Sequence, residues 1–194
     1  MKNSNKYILV FVVLTVAAAL YRVWDSRPFG FAPQIAMAIF AGAVIPNKRL
    51  SFLVPLLSML LSDVIYQVLY MQGLTDIKGF YEGQWVNYVL FTVITVIGFF
   101  VKKNNVASIV LGSICGVVAY FLLSNFSVWI GGGLDINNQP YPKNFSGLMN
   151  CYEAALPFLR GSLWATLIFN GLFFGIYSLY DRYILKSPQA IRAR

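Results

Sequence analysis

The sequence predicts an all-α integral membrane protein of six transmembrane helices, and three observations carry that prediction. Of the 194 residues, 58% are hydrophobic and only 11% charged, where a soluble domain carries about a quarter charged residues. The charges are also clustered. None falls between Arg27 and Lys48, Glu82 and Lys102, Lys103 and Asp135, or Arg160 and Asp181, and uncharged apolar runs of about 18 residues or more are transmembrane candidates. The runs lack the period-two alternation of strands in an outer-membrane barrel.

The elements follow in order along a single membrane domain, 1–194. Spans are read at 7–24, 29–45, 50–71, 85–101, 106–130 and 157–180, each near the ~20 residues that cross a bilayer. Ala17-Ala18-Ala19 in the first resembles a secretory cleavage site. That run nevertheless continues to Tyr21 and Trp24, as a retained anchor does. Pro28 and Pro33 mark the start of the second span, Pro55 is expected to kink the third, and Pro157 suits the first turn of the sixth. Inner connections are short. The outer segment 131–156 opens on three glycines and reads as an ordered lid whose end, 148–156, suits a helix lying at the interface. A basic tail, 181–194, closes the chain.

Orientation follows from the basic residues. Ten (Lys2, Lys6, Lys48, Arg49, Lys102, Lys103, Arg182, Lys186, Arg192, Arg194) fall on one side, and five (Arg22, Arg27, Lys78, Lys143, Arg160) on the other. The positive-inside rule puts both termini in the cytoplasm. The net charge of +8 is therefore topological, and no motif points to nucleic acid. Without histidine and with only two cysteines, a zinc site of the usual ligands is not expected. The chain has no phosphate-binding loop, no nucleophile-base arrangement and no cofactor motif, so a non-enzymatic role without a cofactor is expected.

Asp63 is the one charge inside an apolar run. A carboxylate at bilayer depth is costly and faces a protein interior or a wet cavity. At 100° per residue it shares a helix face with Tyr66, Gln67 and Tyr70. Gln34, Asn87 and Asn125 lie at comparable depth, and Arg160 is placed to reach inward to Asp63 or outward to headgroups. Trp24, Trp85, Trp129 and Trp164 fall at outer span ends, either as an aromatic belt or as walls of an outward-facing site. Small residues four apart, Ala32/Ala36 and Ala38/Gly42 among them, serve helix packing or the docking of another subunit.

Several segments resemble a known family. They are Phe31-Ala32-Pro33 with Ala36, Ala38, Phe40 and Gly42; Pro55-Leu56 with Leu61-Ser62-Asp63; Ser124-Asn125-Phe126 with Trp129; and Tyr141-Pro142, Gly147-Leu148 and the run from Cys151 to Phe158. Together they resemble a bacterial family of small six-span membrane proteins inferred to be transport proteins. That family is similar to the S components, the substrate-binding subunits of energy-coupling factor (ECF) vitamin transporters. The family often carries His-Pro and an asparagine ahead of its Phe-x-Pro. Here the stretch is Arg27-Pro28-Phe29-Gly30-Phe31, so no role for that histidine or asparagine carries over. The resemblance implies an S-component-like bundle in the bacterial cytoplasmic membrane that takes a small, vitamin- or heterocycle-like molecule from outside. It implies a separate transmembrane coupling subunit and ATPases as partners. The residues expected at the ligand are Asp63, Tyr66, Gln67, Asn125, Trp129, Arg160 and Tyr152; those expected at a partner are Ala32, Ala36, Ala38 and Gly42. A solitary ion-coupled transporter using Asp63, and a non-transport partner subunit, are the competing expectations.

Overall fold

The computed structural model describes residues 2–28 and 30–182. Six helices form: α1 (Lys2–Val23), α2 (Gln34–Val44), α3 (Lys48–Met71), α4 (Gln84–Gly98), α5 (Val106–Ile130) and α6 (Phe145–Tyr180). Among the described residues, α3, α5 and α6 are long and apolar enough to cross a membrane, while Phe11–Val23, α2 and α4 are shorter apolar helices. Most of the predicted basic tail, from residue 183 on, lies outside the described residues, as does Phe29.

Successive helices alternate in direction. The end of α1 and the start of α4 both meet the second half of α3, through Arg22 and Gln84 on Asp63. At the opposite pole the α4–α5 turn meets the end of α6 through Lys103 and Tyr177. Asparagines begin three of the helices: Asn47, Asn105 and Asn144 each accept a backbone N–H from the first turn of α3, α5 and α6, satisfying donors that a helix start leaves unpaired.

The hub is α2. It packs against each of the other five helices, and ten of its 11 residues are buried. At 1.5 Å per residue it is only ~16 Å long. The predicted second span was longer because its apolar run begins at residue 29. The helix starts later because Pro33 disfavours helical backbone in the residue before it and Gly30 turns the chain through a positive φ of 70°. Phe40, fully buried on α2, stacks edge-on to Phe174 at 5.1 Å and lies 5.6 Å from Phe173.

The sixth helix departs further from expectation. It begins at residue 145 and runs unbroken through Pro157 for 36 residues, so 148–156 lies within its first third rather than forming a separate interfacial helix. The reason lies in its contacts. Tyr152 Oη donates to the Leu122 carbonyl at 3.0 Å, and Cys151 Sγ lies 3.5 Å from the Asn125 carbonyl. The early turns of α6 thus dock along the end of α5. The connection between α5 and α6, expected over 131–156, shrinks to 131–144 and is folded by a bridge between Leu134 and Pro140. Pro55 likewise sits buried within a continuous α3. Both cysteines are free thiols.

The core is apolar, but the surface is apolar too, and several polar side chains are enclosed. Ser51, Ser58, Ser62, Asp63, Thr95, Ser113, Thr166 and Asn170 are buried, while leucines, valines and isoleucines of α1, α3, α5 and α6 face outward. Leu57, Val64 and Val68 lie exposed on the side of α3 opposite Asp63. Three tryptophans, Trp24, Trp85 and Trp164, are also exposed, in keeping with a belt.

Where α2 crosses α4, backbones touch. A Cβ on Gly42 would sit 2.3 Å from the Thr95 carbonyl oxygen, and one on Gly98 2.5 Å from that of Ile39. Gly171 and Gly175 have open space. Overpacking costs about 1–3 kcal/mol, whereas alanine in place of a helical glycine gains only about 1 kcal/mol. Gly42→Ala and Gly98→Ala are therefore expected to lower the melting temperature in detergent, and Gly171→Ala and Gly175→Ala to hold or raise it.

Candidate functional site

Arg22, in the last turn of α1, donates through Nη1 to Asp63 Oδ1 and to Ser62 Oγ, the latter at 2.6 Å. The other carboxylate oxygen of Asp63 accepts Gln84 Nε2 at 2.6 Å and Tyr88 Oη at 2.7 Å. Asp63 is 1% exposed. Its charge is thus neutralised and its lone pairs engaged, the condition under which a buried ion is tolerated. Arg22 is fixed in turn: its carbonyl accepts from Tyr66 Oη at 2.7 Å and Arg27 Nε at 2.8 Å, and its guanidinium lies over the Tyr66 ring.

The network continues across the bundle. Asn87 Nδ2 donates to Gln84 Oε1 at 3.4 Å and to Tyr81 Oη at 2.9 Å, and Asn87 Oδ1 accepts Tyr120 Oη at 2.8 Å. Tyr120 stacks on Phe91 with ring centroids 5.4 Å apart. One chain of hydrogen bonds therefore links α1, α3, α4 and α5. The loop after α3 is pressed onto it. Gly79 crosses the α3 backbone so closely that a Cβ would lie 1.8 Å from the Asp63 carbonyl oxygen, and the Phe80 amide donates to Gln67 Oε1 at 3.3 Å.

Above this network lies a cavity of about 460 Å³. Its polar lining includes Arg22, Gln34, Asn87, Ser124, Asn125 and Ser162, and its remaining walls combine the aromatic Tyr81, Phe91, Tyr120, Phe121 and Phe158 with aliphatic side chains such as Ile35, Met59, Val117 and Leu159. Gln34, 3% exposed in the first turn of α2, reaches the Ala18 carbonyl with Nε2 at 3.4 Å, while its Oε1 is buried with no hydrogen-bond partner among the described residues. An unpaired buried acceptor costs about 1–3 kcal/mol, and Gln34 carries that cost within the cavity wall.

The sequence-predicted residues fall unevenly around this cavity. Asn125 lines it. Asp63 and Tyr66 lie behind its wall and position Arg22. Gln67 holds the α3–α4 loop. Trp129 Nε1 donates to the Pro142 carbonyl at 2.8 Å, and the Trp129 carbonyl accepts from Lys143 Nζ, so this tryptophan organises the 131–144 loop. Tyr152 is committed to Leu122 and stands 5.6 Å from the Phe121 ring. Arg160 is exposed on α6. The partner of Asp63 is Arg22 instead, which corrects the expected pairing; α1 rather than α6 packs along α3 at that depth. Of the small residues proposed for docking, Ala32 lines the cavity, and Ala36, Ala38 and Gly42 are buried within the bundle. No residue of 131–144 lines the cavity; the loop contributions come from Gly30, Ala32 and Tyr81.

A family profile described as a family of unknown function, DUF6580, matches residues 2–190. The chain belongs to the DUF6580 family. No curated protein and no solved structure matches it. What the DUF6580 bundle offers is therefore read from its own geometry. It holds a cavity lined in part by Arg22, which the buried Asp63 behind the wall holds in place, and by aromatic rings, aliphatic side chains and a few amides and hydroxyls.

Breaking a buried pair by removing one partner costs about 3–5 kcal/mol, whereas replacing both with apolar residues is often close to neutral. Arg22→Met alone is expected to lower the melting temperature sharply. Arg22→Met combined with Asp63→Leu is expected to recover part of that loss, the remainder reflecting the donors of Gln84 and Tyr88 left without an acceptor.

In the 131–144 loop, Asp135 Oδ1 accepts the amides of Asn137 and Gln139 at 2.8 and 2.9 Å. Hydrogen bonds from Gln139 and then Asn137 hold its carboxyl below the usual value of 3.8. The order this confers is present above the unfolded-state value and lost as pH falls through the lowered one. Pepsin cleavage within 133–141 should rise steeply only at that lower pH, and lose this pH dependence in Asp135→Asn.

Proposed function

We propose that the protein is a six-span membrane protein, with both termini in the cytoplasm, that binds a small planar heterocyclic molecule from the outer face. In this reading it is the substrate-binding subunit of an ECF-type transport system and passes its ligand on through a separate transmembrane coupling subunit and ATPases. The carrying observation is the cavity, lined by five aromatic residues together with Arg22, Gln34, Asn87 and Asn125. Its volume of about 460 Å³ falls among small-molecule pockets of roughly 300–1,000 Å³. Phe91, Tyr120, Phe121 and Phe158 offer ring faces, which suits a flat ligand. Gln34, Arg22 and Asn125 supply polar lining.

Placement supports the direction of entry. The cavity lies among the end of α1, the start of α2 and the second half of α5, the pole that the basic-residue count assigns to the outside. Lys48, Arg49, Lys102 and Lys103 belong to the other pole. The aromatic lining and apolar surface support a bilayer setting. The alternative of a solitary ion-coupled transporter requires Asp63 to exchange protons with water, and its burial beneath three donors weighs against that.

The test is to purify the full chain from membranes, extract small molecules and identify them by mass spectrometry, then titrate the identified compound. A near-stoichiometric heterocycle is expected. Gln34→Leu should weaken its binding about tenfold or more while leaving the empty protein equally or more stable, because the unpaired acceptor is gone. A protein that carries no compound, and whose melting temperature no vitamin or heterocycle shifts, overturns the reading.

A further inference from the structure

A second and larger hollow lies at the opposite pole. It is a crevice of about 780 Å³ between α1 and α3, walled by Val12, Val16, Leu50, Leu53 and Leu57 and ended by Lys103. Those five apolar side chains are exposed, so the crevice is open to whatever surrounds the bundle. Lys103 Nζ donates to Tyr177 Oη at 3.2 Å and sits 5.1 Å from its ring centroid. This pose fixes an ammonium, with further N–H groups, at the mouth. Lys48 and Arg49 begin α3 and Lys102 adjoins Lys103. Against these, Asp181 at the end of α6 is the sole acid at that pole among the described residues.

We infer that this crevice is a binding site for one anionic phospholipid, with an acyl chain between α1 and α3 and its phosphodiester at Lys103. The inference rests on the membrane placement above but not on the ligand cavity. Depth supports it. From Lys48 to Leu57 at 1.5 Å per residue is ~14 Å, about half the ~30 Å hydrocarbon core. The crevice therefore runs from headgroup level to the midplane, the reach of a chain in one leaflet. Charge supports it too. Basic pockets at the cytoplasmic ends of membrane helices select anionic headgroups, and a free anion would leave the apolar walls unused. A zwitterionic lipid would fill the walls equally well but lose the net attraction at Lys103.

The experiment uses the full chain, delipidated in neutral detergent and supplied with phosphatidylglycerol or phosphatidylcholine. Native mass spectrometry and melting temperature are the readouts. One phosphatidylglycerol per chain should be retained and raise the melting temperature, with phosphatidylcholine bound at least fivefold more weakly. Lys103→Gln should abolish that preference, and Leu53→Trp, which fills the crevice, should expel both lipids. Lys78→Gln, at the other pole, and Gln34→Leu should leave retention unchanged, so failure of this site is distinguishable from failure of the cavity reading. Equal binding of the two lipids, or an unchanged preference in Lys103→Gln, overturns the inference.

Discussion

A single carboxylate dictates much of the interior. Asp63, all but inaccessible, carries a charge whose isolation in a low-dielectric interior would be prohibitive. Arg22 from α1, and Gln84 and Tyr88 from α4, close around it. Those partners fix where α1 and α4 stand relative to α3. They also leave Gln84 Oε1 and Asn87 to extend the network to Tyr120 on α5. A bundle of apolar helices could slide or rotate at little expense. Here each displacement would unpair a buried charge, so the network gives the packing one register.

The remaining cohesion is steric. If the outer surface meets lipid tails, apolar burial alone gives helices little reason to associate, and close packing must supply it. That accounts for the prominence of α2, whose alanines and Gly42 let α4 approach to backbone contact while Phe40 fills the space towards α6. The cavity arises where this packing is relieved. Toward the start of α2 the small side chain of Ala32 and the turn at Gly30 leave room that aromatic rings surround but do not fill.

The sequence made the helices legible because their charges sit almost entirely between apolar runs. It also marked Asp63 as the exception. What it concealed was the partner. Arg22 reads as a topological charge at the end of the first run, and only tertiary packing reveals that it turns inward to Asp63, over the Tyr66 ring. The polar face of α4 was more visible in principle: Gln84, Asn87, Tyr88 and Phe91 recur at helical spacing, and three of these four take part in the hydrogen-bond chain. Gln34 and Asn125 were recognisable by depth, but nothing local showed that one carries an unpaired oxygen. The boundaries of α2 and α6 were misread for opposite reasons: an apolar run included residues that proline and glycine keep from helix, and an interior proline was taken for a helix start.

The brevity of α2 bears on how such a chain is made. Eleven residues, ten of them enclosed by protein, form a segment shorter than the ~17 that tolerate independent insertion into a bilayer. Its three-residue connection to α3 suits formation as a helical hairpin with that longer neighbour. Its final place is a slot completed by α6, which is synthesised after the other five described helices. The centre of the bundle is therefore occupied by a segment whose surroundings close only after about 100 further residues have been made, and it must be sheltered until then.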